Sequence, residues 1–468
     1  MGAKKFSFFG SAIFYTLGVV LAQGVQFILT QIIYGRVLES VDSAVYGQIT
    51  LYYQWFSVFA ALVGLEAASS VNNARIKYGE ERLKPYSSSL LGIGIVTLVA
   101  YIIIMSVFSG AFTSAMMFPL PVLMACAAQG FFMFCFTVIA QKCRVTGKPV
   151  QFVLWTSMAI ILRLVFATAF ISNMTEDIYL GDVYGSLLAY GIVGTAAFIT
   201  LAKDGKTLVN REYWKYSILL TGPIVFHTLS NIVLGLGDKY MLTLMLGDSE
   251  MGKYSYVYTI GLLANAVWLA FNNAWTVWYY DRTRENDIKA IDNLFVKYSG
   301  FVTLLTFALL MASPDLVTLF GKPEYHSHIA LLPVIMLGCY FMFLYSFPVA
   351  YETYKNKTGY IAVGTVSAAA LNIGLNFYFI PRWGSMGAAI TTLISYAALF
   401  IFHYLIAKFI IKGFQIKFSR LIIPAAVTAG VAALTYALLD AAALRWVLAV
   451  FFVACSFVVY RKSRHIMM

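Results

Sequence analysis

Apolar stretches long enough to cross a bilayer recur from one end of this chain to the other. A spanning helix needs about 20 predominantly apolar residues. Segments of that kind, bounded by charged or Gly/Pro-bearing loops, fall at roughly 8–34, 45–68, 87–110, 117–140, 150–172 and 182–202. After a basic linker from Lys203 to Lys215, others follow at roughly 217–246, 254–279, 297–320, 328–350, 359–380, 384–407, 421–438 and 443–460. In the hydrocarbon core each backbone polar group must be satisfied within the protein, which restricts spans to helices and closed barrels. Segments of this length select the helix, since a membrane strand needs only about 9–11 residues. The expectation is an all-α integral membrane protein with about 14 transmembrane helices. Its composition, 60% hydrophobic and 12% charged, contrasts with roughly 45–50% and about 25% in soluble domains.

Orientation follows from the basic residues, which gather on the cytoplasmic side of membrane proteins. Of the 33 Lys and Arg residues, 26 fall in one set of alternate loops and tails, six in the other set, and Arg163 alone lies inside a span. The richer set includes Lys4, Lys5, Arg461, Lys462 and Arg464, so both termini are expected in the cytoplasm. This bias accounts for the net charge of +12, and nothing in the pattern calls for nucleic acid. The apolar run after Lys5 exceeds a signal-peptide core of roughly 7–15 residues and reads as a retained first helix. The opening Met1-Gly2 lacks a myristoylation motif, because Phe6 stands where Ser or Thr is required. The five cysteines show no CxxC or metal-ligand spacing and read as small apolar packing residues.

An internal repeat organises the spans. Leu38 to Tyr46 aligns without gaps on Leu246 to Tyr254, and Thr146-Gly147 matches Thr358-Gly359 in a short basic loop of the second half. Two six-helix lobes of the same orientation follow, related by a parallel pseudo-two-fold repeat, a type that places substrate sites near midplane between the halves. The expected division is an N-terminal lobe at 1–203, a cytoplasmic linker at 204–216, and a C-terminal lobe at 217–410. Residues 411–468 add two more helices and a basic cytoplasmic tail.

Three stretches carry a family resemblance. The most specific runs from Gly359 to Tyr396: a helix with Asn372 and Asn376, the turn Ile380-Pro381-Arg382-Trp383-Gly384, then Gly387-Ala388-Ala389, Thr391-Thr392 and Ser395. The second is Asp238-Lys239 followed by an apolar run to Leu246 and Tyr254; the third is Gly64-Leu65-Glu66. Over essentially its whole length the chain resembles the polysaccharide-transport branch of the multidrug/oligosaccharidyl-lipid/polysaccharide exporter superfamily, which includes O-antigen and capsule-unit flippases. The resemblance implies two lobes about a central cavity that opens alternately to either side of a bacterial cytoplasmic (inner) membrane. The implied cargo is an undecaprenyl-diphosphate-linked oligosaccharide repeat unit, flipped from the cytoplasmic to the periplasmic leaflet. Membrane lipids, a polysaccharide polymerase and other assembly proteins are the partners such a chain would meet. Fourteen helices rather than twelve favour this branch over the drug-exporting one. A membrane-embedded glycan polymerase or ligase is the contrasting reading, but it would need a sizeable outer loop, and the outer loops here span roughly 4–18 residues. Same-fold export of lipid II, teichoic precursors or drugs stays open, since fold does not fix cargo.

Polar side chains at membrane depth are candidate functional sites. Arg163 sits mid-span, where an arginine on an isolated helix costs roughly 10–17 kcal/mol in simulations. It therefore needs water, an interior carboxylate such as Asp182 or Glu66, or an anionic ligand. A flippase cargo supplies a diphosphate that matches the guanidinium fork. Asp238 and Lys239 lie about 12 Å before the end of their helix; Asp238 could bind a coupling proton or sodium ion, or form an ion pair with Lys239. His227 and Asn231 are one turn apart after Pro223, and His227 titrates near neutrality when unperturbed. Glu66 reads as a salt bridge to Arg75 or a cation site. Gln23, Gln26, Gln54, Asn265, Asn272, Asn273, Asn372 and Asn376 offer sugar donors and acceptors, or interhelical bonds. Glu324-Tyr325-His326-Ser327-His328 lacks further ligands for a metal. No Walker A loop, GxSxG elbow or HExxH helix is present, so no catalytic activity, cofactor or ATP-driven step is expected.

Overall fold

The computed structural model describes residues 24–467, with side chains throughout except at 234, 236, 266, 267, 270, 273, 274, 277 and 462–467. Gln23 and the amino-terminal Lys4 and Lys5 lie outside the described residues, as do the side chains of Asn273, Lys462 and Arg464. The chain divides into two compact units, Met1–Ile232 and Val233–Met468.

The first unit holds α1 (Ile28–Val37, wound as a π-helix), α2 (Ser43–Leu62), α3 (Val71–Val107), the short α4 (Ser109–Met116), α5 (Leu120–Val145), α6 (Pro149–Asn173) and α7 (Tyr179–Gly205). It ends within α8 (Arg211–Leu246). Asp42 caps α2 by accepting from the Val45 amide at 2.9 Å, satisfying one of the amides a helix start leaves unpaired. At the other end of α2, Gly64, Leu65 and Glu66 all take left-handed backbone conformations (φ 80°, 51° and 54°). Glycine is required at the first of these, because a Cβ there would lie 2.4 Å from the Phe134 ring. α5 is the centre of this unit, packed on α2, α3, α6 and α7. α6 and α7 run antiparallel in the most extensive contact of the unit: a Cβ on Gly185 would meet the Ala167 backbone at 2.4 Å, and one on Gly181 the Ile171 backbone at 2.7 Å. Small residues let backbones approach where hydrophobic exclusion gives no drive between helices in lipid.

The second unit holds α9 (Asp248–Gly261), α10 (Leu263–Arg284), α11 (Ile288–Phe320), a 3-10 segment at Pro323–Leu331, α12 (Leu332–Tyr354), α13 (Thr358–Leu405), α14 (Phe418–Ala437) and α15 (Ala442–Met467). α12 is its centre, touching α9, α10, α11, α13 and α14. α13 is two helices folded back on each other at Gly384 (φ 55°, ψ −137°), three residues after Pro381. Antiparallel contacts prove the fold-back, with Gly387 against the Phe379 carbonyl and Gly364 against the His403 ring. The turn at 380–384 is thus where the sequence indicated.

Among the described residues there is no strand, and ten helices are long and apolar enough to cross a membrane. The protein is a multi-pass membrane protein. That number falls short of the fourteen segments expected for identifiable reasons. The segment at 8–34 begins outside the described residues, and those at 359–380 and 384–407 form the single helical run of α13. The segment at 254–279 is broken at Leu262 into α9 and α10, and α2, with Gln48, Gln54 and its tyrosines, is too polar to qualify.

Candidate functional site

Arg163 lies in the middle of α6 and is 1% exposed. The close approach of α7 brings Asp182 and Ser186 beside it. The guanidinium Nη2 donates to both Asp182 oxygens at 3.0 and 3.3 Å, Nε to Ser186 at 3.1 Å, and Nη1 to the Gln26 amide oxygen at 2.7 Å. Tyr34 of α1 donates to Asp182 at 2.5 Å. The Tyr53 ring of α2 faces the guanidinium at 4.0 Å, and its hydroxyl bonds to Ser186. The charge is thus cancelled within one unit by α1, α2, α6 and α7. Nε, Nη1 and Nη2 each already donate within this unit.

A second polar cluster occupies the other unit. Asp238, 1% exposed, accepts from the Tyr254 hydroxyl at 2.6 Å, the Thr392 hydroxyl at 3.2 Å and the Lys239 amide at 2.8 Å. Lys239 turns away: among the described residues its ammonium makes no ion pair and sits 4.8 Å from the centre of the Tyr258 ring, a cation–π contact. The two charges are adjacent in sequence but not directly paired. Asn372 donates to Thr392 at 3.3 Å, Asn376 donates to Asn372 at 3.1 Å, and Thr391 donates to Asn376. α8, α9 and the second arm of α13 therefore meet at one carboxylate, and the first arm joins through Asn372 and Asn376.

The remaining candidates scatter. His227 and Asn231 bond to each other at 3.0 Å on an exposed face of α8. Gln54 is buried, its amide nitrogen without a partner among the described residues, and Asn272 is half-buried, its carbonyl accepting from Thr276. Glu66 bonds to Thr228 rather than Arg75, because Arg75 pairs with Glu80 at 2.6 Å and donates to the Val145 carbonyl.

Three side-chain pairs were not legible beforehand. His403 and Glu352, both fully buried, bond at 2.9 Å between α13 and α12. Arg445 grips Asp315 through both carboxylate oxygens at 2.8 Å. At the start of α9, Glu250 accepts from His328 at 2.9 Å and Ser385 at 2.8 Å. The His328 bond, aided by Ser385, holds the Glu250 carboxyl down at about 2. No group of three or more metal-ligating side chains exists among the described residues; His328 of the candidate cluster is spent on Glu250.

A family model described as "Polysaccharide biosynthesis protein" matches residues 9–279. Among solved structures, the lipid II flippase MurJ in an inward closed conformation superposes with a TM-score of 0.70 at 15% identity, over 96% of this chain and 99% of that one. An inward-facing multidrug resistance MATE family transporter of the MOP superfamily gives 0.63 at 14% identity, over 92% and 99%. A MOP superfamily transporter from Pyrococcus furiosus gives 0.57 at 14% identity, over 92% and 96%. No curated protein matches. With more than half its length covered by the family model and its fold shared with MOP superfamily transporters, the chain belongs to the polysaccharide biosynthesis protein family of multi-pass membrane proteins.

Proposed function

We propose that this protein is a flippase that moves undecaprenyl-diphosphate-linked oligosaccharide repeat units across the bacterial cytoplasmic membrane by alternating access, with both termini in the cytoplasm. The observation that carries this reading is membership of a polysaccharide biosynthesis family by a chain with a transporter fold. Lipid-linked glycan is the form in which such a pathway presents a membrane-embedded substrate. The cargo's diphosphate meets Arg163 by displacing Asp182, since both are bidentate acceptors for the same fork. Asp238, held by three donors, is the group assigned to proton or sodium coupling, because no nucleotide-binding loop supplies another energy source. Lipid II is the second reading, favoured by the fold shared with a lipid II flippase.

The test is to delete the gene in its host and probe lipid-linked intermediates with a membrane-impermeant sugar-modifying reagent from the periplasmic side. Single repeat units that accumulate and stay protected support the flippase reading. Protected lipid II in their place shifts the cargo to the second reading. Single units that accumulate fully accessible refute translocation and indicate a polymerase or ligase.

A further inference from the structure

The first unit carries a groove of about 510 Å³ between α5, α6 and α7, separate from the Arg163 cluster. Its walls change character along its length. On α6, Gln151, Leu154, Trp155, Met158 and Leu162 line it, a spacing that puts them on one helix face. The polar lining collects at one end, because α7 runs back beside α6 and ends there at Asp204, while α5 ends there at Lys142 and Thr146.

That end is electropositive on balance, for two reasons beyond one neutral pair. Lys142 and Asp204 pair at 2.9 Å and cancel. Among the described residues Lys148 makes no ion pair, and it leaves one positive charge over. Lys148 is also the residue preceding α6, whose start has Pro149 at its first position and no side-chain cap. The first amides of this long helix therefore lack internal acceptors and present the positive end of its dipole. From Gln151 to Leu162 the groove follows eleven residue steps, about 16 Å at the helical rise, close to half of the roughly 30 Å hydrocarbon core.

We propose that this groove binds one anionic phospholipid of the bilayer, its phosphate at Lys148 and the first turn of α6, and one acyl chain along Trp155, Met158 and Leu162. The charge left over selects a net negative headgroup. A zwitterionic lipid's ammonium would instead meet a surplus positive charge, because the carboxylate that lines the groove, Asp204, is taken by Lys142.

The test uses the full-length chain in detergent micelles, titrated with phosphatidylglycerol or phosphatidylcholine carrying brominated acyl chains, which quench nearby tryptophan. Trp155→Phe isolates the groove's signal from the other tryptophans. The expected result is a Trp155 component that saturates with phosphatidylglycerol and hardly responds to phosphatidylcholine. It should weaken about fivefold in the exposed-site variant Lys148→Gln, strengthen in Asp204→Asn, and vanish in Met158→Trp relative to its own Trp155→Phe control. Equal quenching by the two lipids, no effect of Lys148→Gln, or displacement by millimolar inorganic phosphate would each overturn the proposal, the last pointing to a free phosphate site.

Discussion

Replacing Asp182 with Leu removes the carboxylate paired with Arg163 and leaves a buried guanidinium with Gln26, Ser186 and the Tyr53 ring as partners. Breaking a buried pair from one side costs about 3–5 kcal/mol, because the remaining charge stays desolvated. The reverse single change, Arg163→Met, strands Asp182 with only Tyr34 donating to it among its present side-chain partners, and should lose a similar amount. The double replacement Arg163→Met with Asp182→Leu removes both charges and leaves chiefly the Tyr34 hydroxyl without its acceptor, worth about 1–3 kcal/mol. The double variant should therefore be more stable than either single one. Equilibrium unfolding in micelles, followed by tryptophan fluorescence, measures all four corners of this cycle. If the losses of the single variants simply add, the pair is not coupled and the account of α6 on α7 given above is refuted. Run in the accessibility assay, the same double variant separates two roles: normal translocation makes the pair a structural clasp, whereas a stable but inactive protein gives Arg163 the cargo's diphosphate.

Tyr254→Phe deletes the 2.6 Å bond to Asp238 and should lower unfolding stability by about 1.5–3 kcal/mol, the worth of a bond to a charged group; no change in the unfolding midpoint would remove Tyr254 from the cluster. Gly185→Ala drives a methyl into the Ala167 backbone, whereas Gly191→Ala meets Phe132 at 3.7 Å. The first should cost about 1–3 kcal/mol and the second should be silent in the same measurement. The depressed Glu250 carboxyl binds fewer protons folded than unfolded, so its contribution is full above the ordinary value of 4.5 and fades as pH falls toward about 2. Thermal melts between those limits should show a steeper acid loss for the native chain than for Glu250→Gln, and parallel curves would contradict it.

Helices and the glycine turns were legible because their signals are local: twenty apolar residues, or a proline and glycine at fixed offsets. Asp182 was foreseeable as a partner for Arg163 because a mid-span cation demands one and few carboxylates lie near enough in sequence. Tyr34 and Tyr53 were not, since a tyrosine that bonds a buried carboxylate looks in sequence like one in an interfacial belt. Glu352 and His403 were passed over for a related reason. Each falls near a helix end, where polar residues usually meet water, and only folding places them fully buried, side by side across 51 residues. The adjacency of Asp238 and Lys239 misled in the opposite direction: neighbours on a helix point to different faces, so the lysine found a ring and the aspartate found hydroxyls.

The Arg163–Asp182 clasp also bears on how the chain is made. Synthesis proceeds from the amino terminus, so α6 reaches the insertion machinery with an arginine at its centre while its counterion, 19 residues later, is still inside the ribosome. Alone, such a residue opposes partitioning of the nascent helix into lipid by about 2.5–3.5 kcal/mol. α6 should therefore linger at the insertion machinery and enter the bilayer only with α7, as a hairpin whose two charges are already joined.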